Sequence, residues 1–347
     1  MNHWQSLKKE RQVEIINQVS NEIGMPVNAV EKDWWVTTVL KALFQTKCKE
    51  TLIFKGGTSL SKGWQIISRF SEDIDLGIDR NYYQFSELDS REWNQQLYEL
   101  RRRNYHGVQD ELIPELHEIL NRNGIKDFDI EFVSSKDSRT DPVVFLMKYN
   151  SLFPVMEYIQ PWVKVEINCR SLHEPFKEIA MNSLISITFP RTSFAEEEFM
   201  VKAVLPTRTF LEKIFLLHEE CQKKKVRTRR ITRHLYDLEK LMDTPFGKEA
   251  LEDVELFTSI VKHRYDFNNI PGLNYRYHHP ASISIIPLDL EIQQVWKKDY
   301  EEMRRTFIYG DSLTFEKLLE RMKELLERIK QLQIEDDFFK KDRIEYE

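Results

Sequence analysis

At 347 residues, with 41% hydrophobic and 31% charged residues, the chain is long enough for two cores, and it has no apolar run long enough to cross a bilayer. Its 51 Lys and Arg against 57 Asp and Glu give a net charge of −6, which excludes coating nucleic acid by bulk charge but leaves room for a local basic groove. Three widely spaced cysteines, Cys48, Cys169 and Cys221, lack metal-type spacing, and the N-terminus lacks an apolar secretory core, so a reducing, cytoplasmic setting with no membrane contact is expected.

The first forty-odd residues pattern as two helices interrupted at Gly24-Met25-Pro26, the second carrying Glu31-Lys32-Asp33-Trp34-Trp35. An apolar strand at Leu52 to Phe54 runs into Gly56-Gly57, followed by a helix from about Ser59 to Ser68 and a strand from Asp73 to Ile78. Arg91 to Asn123 reads as helical and stops at Asn123-Gly124. Alternating apolar patterns then predict strands at Phe128 to Val133, Val143 to Tyr149, Trp162 to Cys169 and Met200 to Leu205. From Pro206 onward helices dominate, apart from a loop at Tyr265 to Pro287 and a loosely held tail from about Glu335. The change near Leu205 divides the chain into domains 1–205 and 206–347, an α+β organisation.

The chemistry-bearing stretch is Phe54-Lys55-Gly56-Gly57-Thr58-Ser59, followed by Ser71-Glu72-Asp73-Ile74-Asp75. Paired glycines after a strand let backbone approach a phosphate, and the amides opening the next helix can cradle it. A period of two puts Ser71, Asp73 and Asp75 on one strand face and Ile74, Leu76 and Ile78 on the other. Two such carboxylates repel unless a cation lies between them, and hard oxygen ligands suit Mg²⁺ carrying a nucleoside triphosphate. This implies phosphoryl or nucleotidyl transfer, with Ser71 available to hydrogen-bond a phosphate. A kinase P-loop is excluded, because Ser61 and not glycine precedes Lys62, which reads as a helix-surface residue.

These segments resemble the first motif of the DNA polymerase beta nucleotidyltransferase superfamily, most closely the AbiEii/AbiGii toxin group. Pro206-Thr207-Arg208-Thr209-Phe210-Leu211-Glu212-Lys213 and Arg233-His234-Leu235-Tyr236-Asp237-Leu238 resemble the group's second and third motifs, and a further similarity lies near Asp299. The resemblance runs from about Glu31 to about Leu332. It implies a nucleotidyltransferase-type mixed sheet flanked by helices, with a mostly helical C-terminal domain. It also implies Mg²⁺ on Asp73 and Asp75, and a nucleoside triphosphate held by Gly56, Gly57, Thr58, Lys213 and Arg208. The acceptor it implies is RNA, at the 3′ end of tRNA, in a toxin restrained by a separately encoded antitoxin and acting in growth arrest or phage defence. Transfer to a protein or small molecule, and nucleotide binding without turnover, stay open as alternatives.

Superfamily members often carry a third carboxylate on a later strand, and Glu166 in Val163-Lys164-Val165-Glu166-Ile167 has the right alternation for a base or metal ligand. The same pattern fits an exposed glutamate beside Lys164. Lys213 falls just outside the apolar stripe of its helix, and the family motif assigns it to the triphosphate. Arg233, Asp237 and Lys240 share a helix face, a spacing that also suits a surface ion-pair row. The motif makes Asp237 functional, positioning Lys213 or the nucleotide, whereas His234 reads as a core histidine. The basic run Lys223 to Arg230 reads either as a solvated loop or as an RNA phosphate contact, and Tyr275 to His279 as core packing before base stacking.

Overall fold

The computed structural model describes residues 3–85, 93–135, 137–138, 141–156, 158–169, 175–268 and 270–334. The tail from Glu335 and the expected helix start at Arg91 lie outside the described residues. The chain forms two compact units, one of Met1–Trp64 with Phe70–Val204 and one of Gln65–Arg69 with Leu205–Glu347.

In the first unit, α1 (Lys9–Ile23) and α2 (Val27–Leu43) are separated where Gly24 adopts φ 71° and its amide donates to Ser20 O. A residue with a Cβ pays a steric penalty at such an angle, so the glycine stops α1. Most of α2 is buried, Asn28 through Leu43 being covered on nearly every side, as befits an interior helix. Trp35 of α2 stacks on Tyr149 at 4.8 Å between ring centroids.

The strands are β1 (Leu52–Lys55), β2 (Ile74–Ile78), β3 (Phe128–Phe132), β4 (Val143–Tyr149), β5 (Trp162–Asn168), β6 (Phe176–Met181) and β7 (Phe199–Val204). They form one seven-stranded sheet in the order β3-β4-β5-β2-β1-β7-β6. The sheet is mixed, β1/β7 and β2/β5 pairing parallel and the other neighbours antiparallel. Alternation fixes which face is core: Ile74, Leu76, Val163, Val165, Ile167, Phe145 and Met147 are all fully buried. Burying each such side chain contributes roughly 1.5–3 kcal/mol. Between the strands lie α3 (Gly56–Thr58), which continues as a wider turn over Ser59–Gly63, then α4 (Trp93–His106), α5 (Ile113–Arg122) and α6 (Leu184–Thr188).

Edge strand β6 and the short α6 are absent from the sequence reading. The helix after the glycine turn also differs, running from Gly56 to Gly63 and not from Ser59 to Ser68. Gln65 turns the chain out of it with φ 55°, and Gln65–Arg69 joins the second unit.

The second unit contains α7 (Pro206–Gln222), α8 (Arg233–Leu241), α9 (Pro245–Ala250), α10 (Val254–Phe267), α11 (Leu290–Thr306) and α12 (Phe315–Ile329). Phe210, Leu211, Ile214, Phe215 and Leu217 of α7 are fully buried, as are Leu318, Met322, Leu325 and Ile329 of α12, which packs on α8 and α11. The Gln65–Arg69 segment is held by Tyr309 N, which donates to Ser68 O at 3.1 Å, and by a bridge between Arg69 and Ile308. No helix among the described residues is long and apolar enough to cross a membrane.

Candidate active site

β1 delivers the chain to Gly56, whose φ of 79° turns the backbone into α3 directly beside β2. A Cβ placed on Gly56 would collide with the Asp75 carboxylate, so glycine is demanded here both by backbone angle and by the approach of that side chain. The strand alternation extends one turn of the pleat before β2: Glu72, Ile74 and Leu76 are buried, while Ser71, Asp73 and Asp75 are half-buried.

Register places further charges in the same row. Asp75 is opposite Lys55 of β1 on one side and opposite Glu166 of β5 on the other. Side chains directly opposite one another share a face of the sheet. The structure therefore brings Glu166 next to Asp75, as the sequence could not show. Lys164 ion-pairs with Glu166. Burial works against the Lys164 charge, and Glu166 together with Asp73 and Asp75 more than offsets it, raising the ammonium pKa. One lysine thus feels all three carboxylates. Among the described residues no three His, Cys, Asp or Glu side chains form a ready-made metal cage.

Thr58 is buried, and its hydroxyl donates to Asp73 O at 2.5 Å and lies 2.9 Å from Ser71 Oγ. The glycine turn is thereby tied to the carboxylate segment by the two hydroxyls. Lys62 is not a free surface residue: its ammonium lies 2.6 Å from Asp33 Oδ1 and its side chain is largely covered. Lys32 makes a 2.6 Å ion pair with Glu72, and both are buried.

In the second unit, Lys213 of α7 and Asp237 of α8 meet at 2.8 Å. Arg69 grips the same carboxylate with two bonds, Nε to Oδ1 at 2.6 Å and Nη2 to Oδ2 at 2.8 Å. Asp237 is fully buried, and Lys213 and Arg69 are nearly so. Burial opposes ionisation of Asp237, yet Arg69 and Lys213 hold its carboxyl well below the usual carboxylate range. Burial, aided by the charges of Arg69 and Arg233, pulls the Lys213 ammonium below its ordinary value while Asp237 opposes. Arg69 and Lys213 thus share the carboxylate of Asp237. Asp299 of α11 accepts from Arg230 N and Thr232 Oγ1, each at 2.6 Å, and so fixes the turn that enters α8. His234 is buried, and burial followed by the Lys213 charge drives its pKa far down, keeping it neutral.

Arg208 is also buried, 3.4 Å from Glu212, which in turn pairs with Arg264. Tyr275 and His278 are buried and stacked at 4.7 Å, while Tyr277 is exposed. Lys223, Lys224, Lys225, Arg227, Arg229 and Arg230 are exposed on the loop between α7 and α8. Arg69, Lys32 and Asp33 escaped sequence reasoning because their partners lie 168, 40 and 29 residues away. Lys55 was legible as the residue before the glycine pair, but not its register with Asp75.

No curated protein matches the chain. The family described as nucleotidyl transferase AbiEii toxin, type IV toxin-antitoxin system, matches residues 38–321, which takes in the glycine turn, both aspartates, Glu166, Lys213 and Asp237. With most of its length matched, the chain belongs to the AbiEii family of nucleotidyl transferase toxins of type IV toxin-antitoxin systems.

Proposed function

We propose that the protein transfers a nucleoside monophosphate from a nucleoside triphosphate to a hydroxyl of RNA, at the 3′ end of tRNA, with release of pyrophosphate and with Mg²⁺ held by Asp73 and Asp75. The observation that carries this reading is the row of Asp75 and Glu166 on adjacent strands, with Gly56 packed against the Asp75 carboxylate. Two aspartates fit Mg²⁺, which commonly takes one or two carboxylates and completes its shell with phosphate oxygens and water. When bound, Mg²⁺ supplies charge that makes the acceptor hydroxyl more acidic and offsets the charge of the departing pyrophosphate.

The chain's own residues do the rest. Gly56 yields its side-chain space to the Asp75 carboxylate, the backbone of the Gly56-Gly57 turn serves the phosphate, and Thr58 and Ser71 tie that turn to Asp73. Glu166 stands beside Asp75 to take the hydroxyl proton, and Lys164 limits the repulsion among the carboxylates. In the second unit, Lys213, steadied by Asp237, and Arg208 serve the phosphates, while the exposed basic loop 223–230 supports binding to an RNA backbone. The family's description as a type IV toxin supports a separately encoded antitoxin, and we further propose growth arrest or phage defence in the cytoplasm as the outcome.

The test is transfer of label from each α-³²P nucleoside triphosphate, with Mg²⁺, to total RNA and to total protein, comparing the native chain with Asp75→Asn. Label in small RNA that disappears in the variant supports the proposal. Label in protein refutes the RNA acceptor, and no label from any nucleotide refutes the transfer reaction.

A further inference from the structure

Three successive residues of α2 point to three different parts of the first unit, since each step along a helix turns the side chain by roughly 100°. Glu31 accepts from Leu152 N at 2.7 Å and from Ser151 Oγ at 2.6 Å, in the connection between β4 and β5. Lys32 reaches Glu72 at 2.6 Å and Gln160 O at 3.1 Å. Asp33 takes Lys62 on Oδ1 at 2.6 Å and Leu184 N on Oδ2 at 2.7 Å. Lys32 and Asp33 therefore hold the two arms of the nucleotide motif separately. Glu72 immediately precedes Asp73, and Lys62 lies on the helical run that begins at Gly56. Both residues precede the segment that matches the family, which begins at residue 38.

We infer that α2 sets the geometry of the nucleotide site through two independent tethers, Lys32–Glu72 fixing the metal-binding aspartates and Asp33–Lys62 fixing the phosphate-binding turn. The inference rests on the nucleotidyl transfer reading. Lys32 and Asp33 are positioning residues, since each acts through a partner and neither needs to touch nucleotide or metal. Glu72 is buried on the core side of the segment, and Asp73 and Asp75 after it alternate onto the opposite, half-buried face. A buried ion pair there has little freedom, because either charge leaving its partner would be stranded away from water. The Asp33 carboxylate is likewise shared between Lys62 and a backbone amide, which fixes its orientation and with it the reach of Lys62. A helix covered on nearly all sides is a rigid origin for both tethers.

The two arms predict separable defects. The paired change Lys32→Met with Glu72→Leu removes both charges together, so neither is left buried alone. It is expected to weaken Mn²⁺ binding, read by electron paramagnetic resonance at saturating α,β-methylene nucleoside triphosphate, at least fivefold. Affinity for that analogue at saturating Mg²⁺ should stay within twofold. Lys62→Met should do the reverse, weakening the analogue at least fivefold with Mn²⁺ binding within twofold, and Lys62→Arg should restore it. Should the paired variant not fold, Glu72→Gln, which keeps an acceptor for Lys32, carries the metal arm. Loss of melting temperature alone, or the same parameter shifting in both variants, overturns the tethers and leaves the reaction standing. A native chain that binds neither Mn²⁺ nor the analogue overturns the nucleotide reading itself, and the tethers fall with it.

Discussion

Alanine at Gly56 separates two demands that the glycine turn meets at once, backbone angle and room for a carboxylate. At φ 79° a Cβ costs roughly 1–2 kcal/mol in backbone strain alone. That strain has a control within the same unit, because Gly24 also sits at positive φ, 71°, with nothing within 4 Å of its Cβ position. At Gly56 the added methyl meets Asp75 as well, so either the turn or the carboxylate must move. Overpacking of this kind adds about 1–3 kcal/mol, and a reacting group displaced by about 1 Å can lose about a hundredfold in rate. A hundredfold corresponds to about 2.7 kcal/mol of transition-state stabilisation. The expected outcome is therefore a similar backbone strain in both variants and a lower melting temperature for Gly56→Ala from the added clash, with Gly24→Ala keeping native nucleotidyl transfer and Gly56→Ala losing at least a hundredfold in kcat/KM. The assay is label transfer from α-³²P nucleoside triphosphate, with thermal melting recorded alongside. Gly56→Ala within threefold of Gly24→Ala would refute the claim that Asp75 must approach the turn this closely.

Asp237→Asn leaves Arg69 and Lys213 buried around a neutral side chain and should cost about 3–5 kcal/mol in urea unfolding, whereas Lys213→Met should cost less because Arg69 stays on the carboxylate. A loss under about 1 kcal/mol for Asp237→Asn would show the cluster to be solvated. Burial, followed by the nearby His278, lowers the His218 pKa from 6.5 to about 4, so below pH 6.5 the unfolded chain binds a proton that the folded chain refuses. Stability should fall by about 3 kcal/mol as pH drops through that window, and His218→Gln should flatten that part of the profile by about one proton. Despite its burial, Glu219 is held down at about 2 by Arg264 and His278, so its contribution is lost only between pH 4.5 and about 2. Glu166→Gln removes a partly exposed ion pair worth at most about 1 kcal/mol, so a hundredfold loss of turnover with an unchanged melt would mark Glu166 as chemical. Turnover within threefold of native would return it to the bland role of a strand glutamate.

Much of the sheet was legible because Val163, Val165 and Ile167, like Phe145 and Met147, alternate with polar residues and bury one face. Edge strand β6 was not, since Phe176, Lys177 and Glu178 are all exposed and leave no apolar alternation to read, whereas the other edge strand, β3, keeps its alternation. The early end of the helix at Gly63 was hidden because nothing local announces Gln65; its φ of 55° accompanies the docking of Ser68 and Arg69 in the second unit. For the site, the glycine pair and Asp73 and Asp75 could be found by spacing. Their neighbours could not, because the register of Glu166 with Asp75 is a pairing across more than ninety residues. Arg69 reads as one polar residue among many, and only its buried carboxylate partner distinguishes it.

The excursion of Gln65–Arg69 also constrains how this protein can be inherited. The five residues lie between the two halves of the nucleotide motif in sequence, yet they belong to the unit made from residues 205 onward. A crossover near Val204 that imported a foreign helical unit would bring no matched seat for Arg69 unless the newcomer also carried a buried aspartate at the equivalent place. The two units are thus expected to be passed on together, and a successful exchange between distant members should swap this short strap along with the helices.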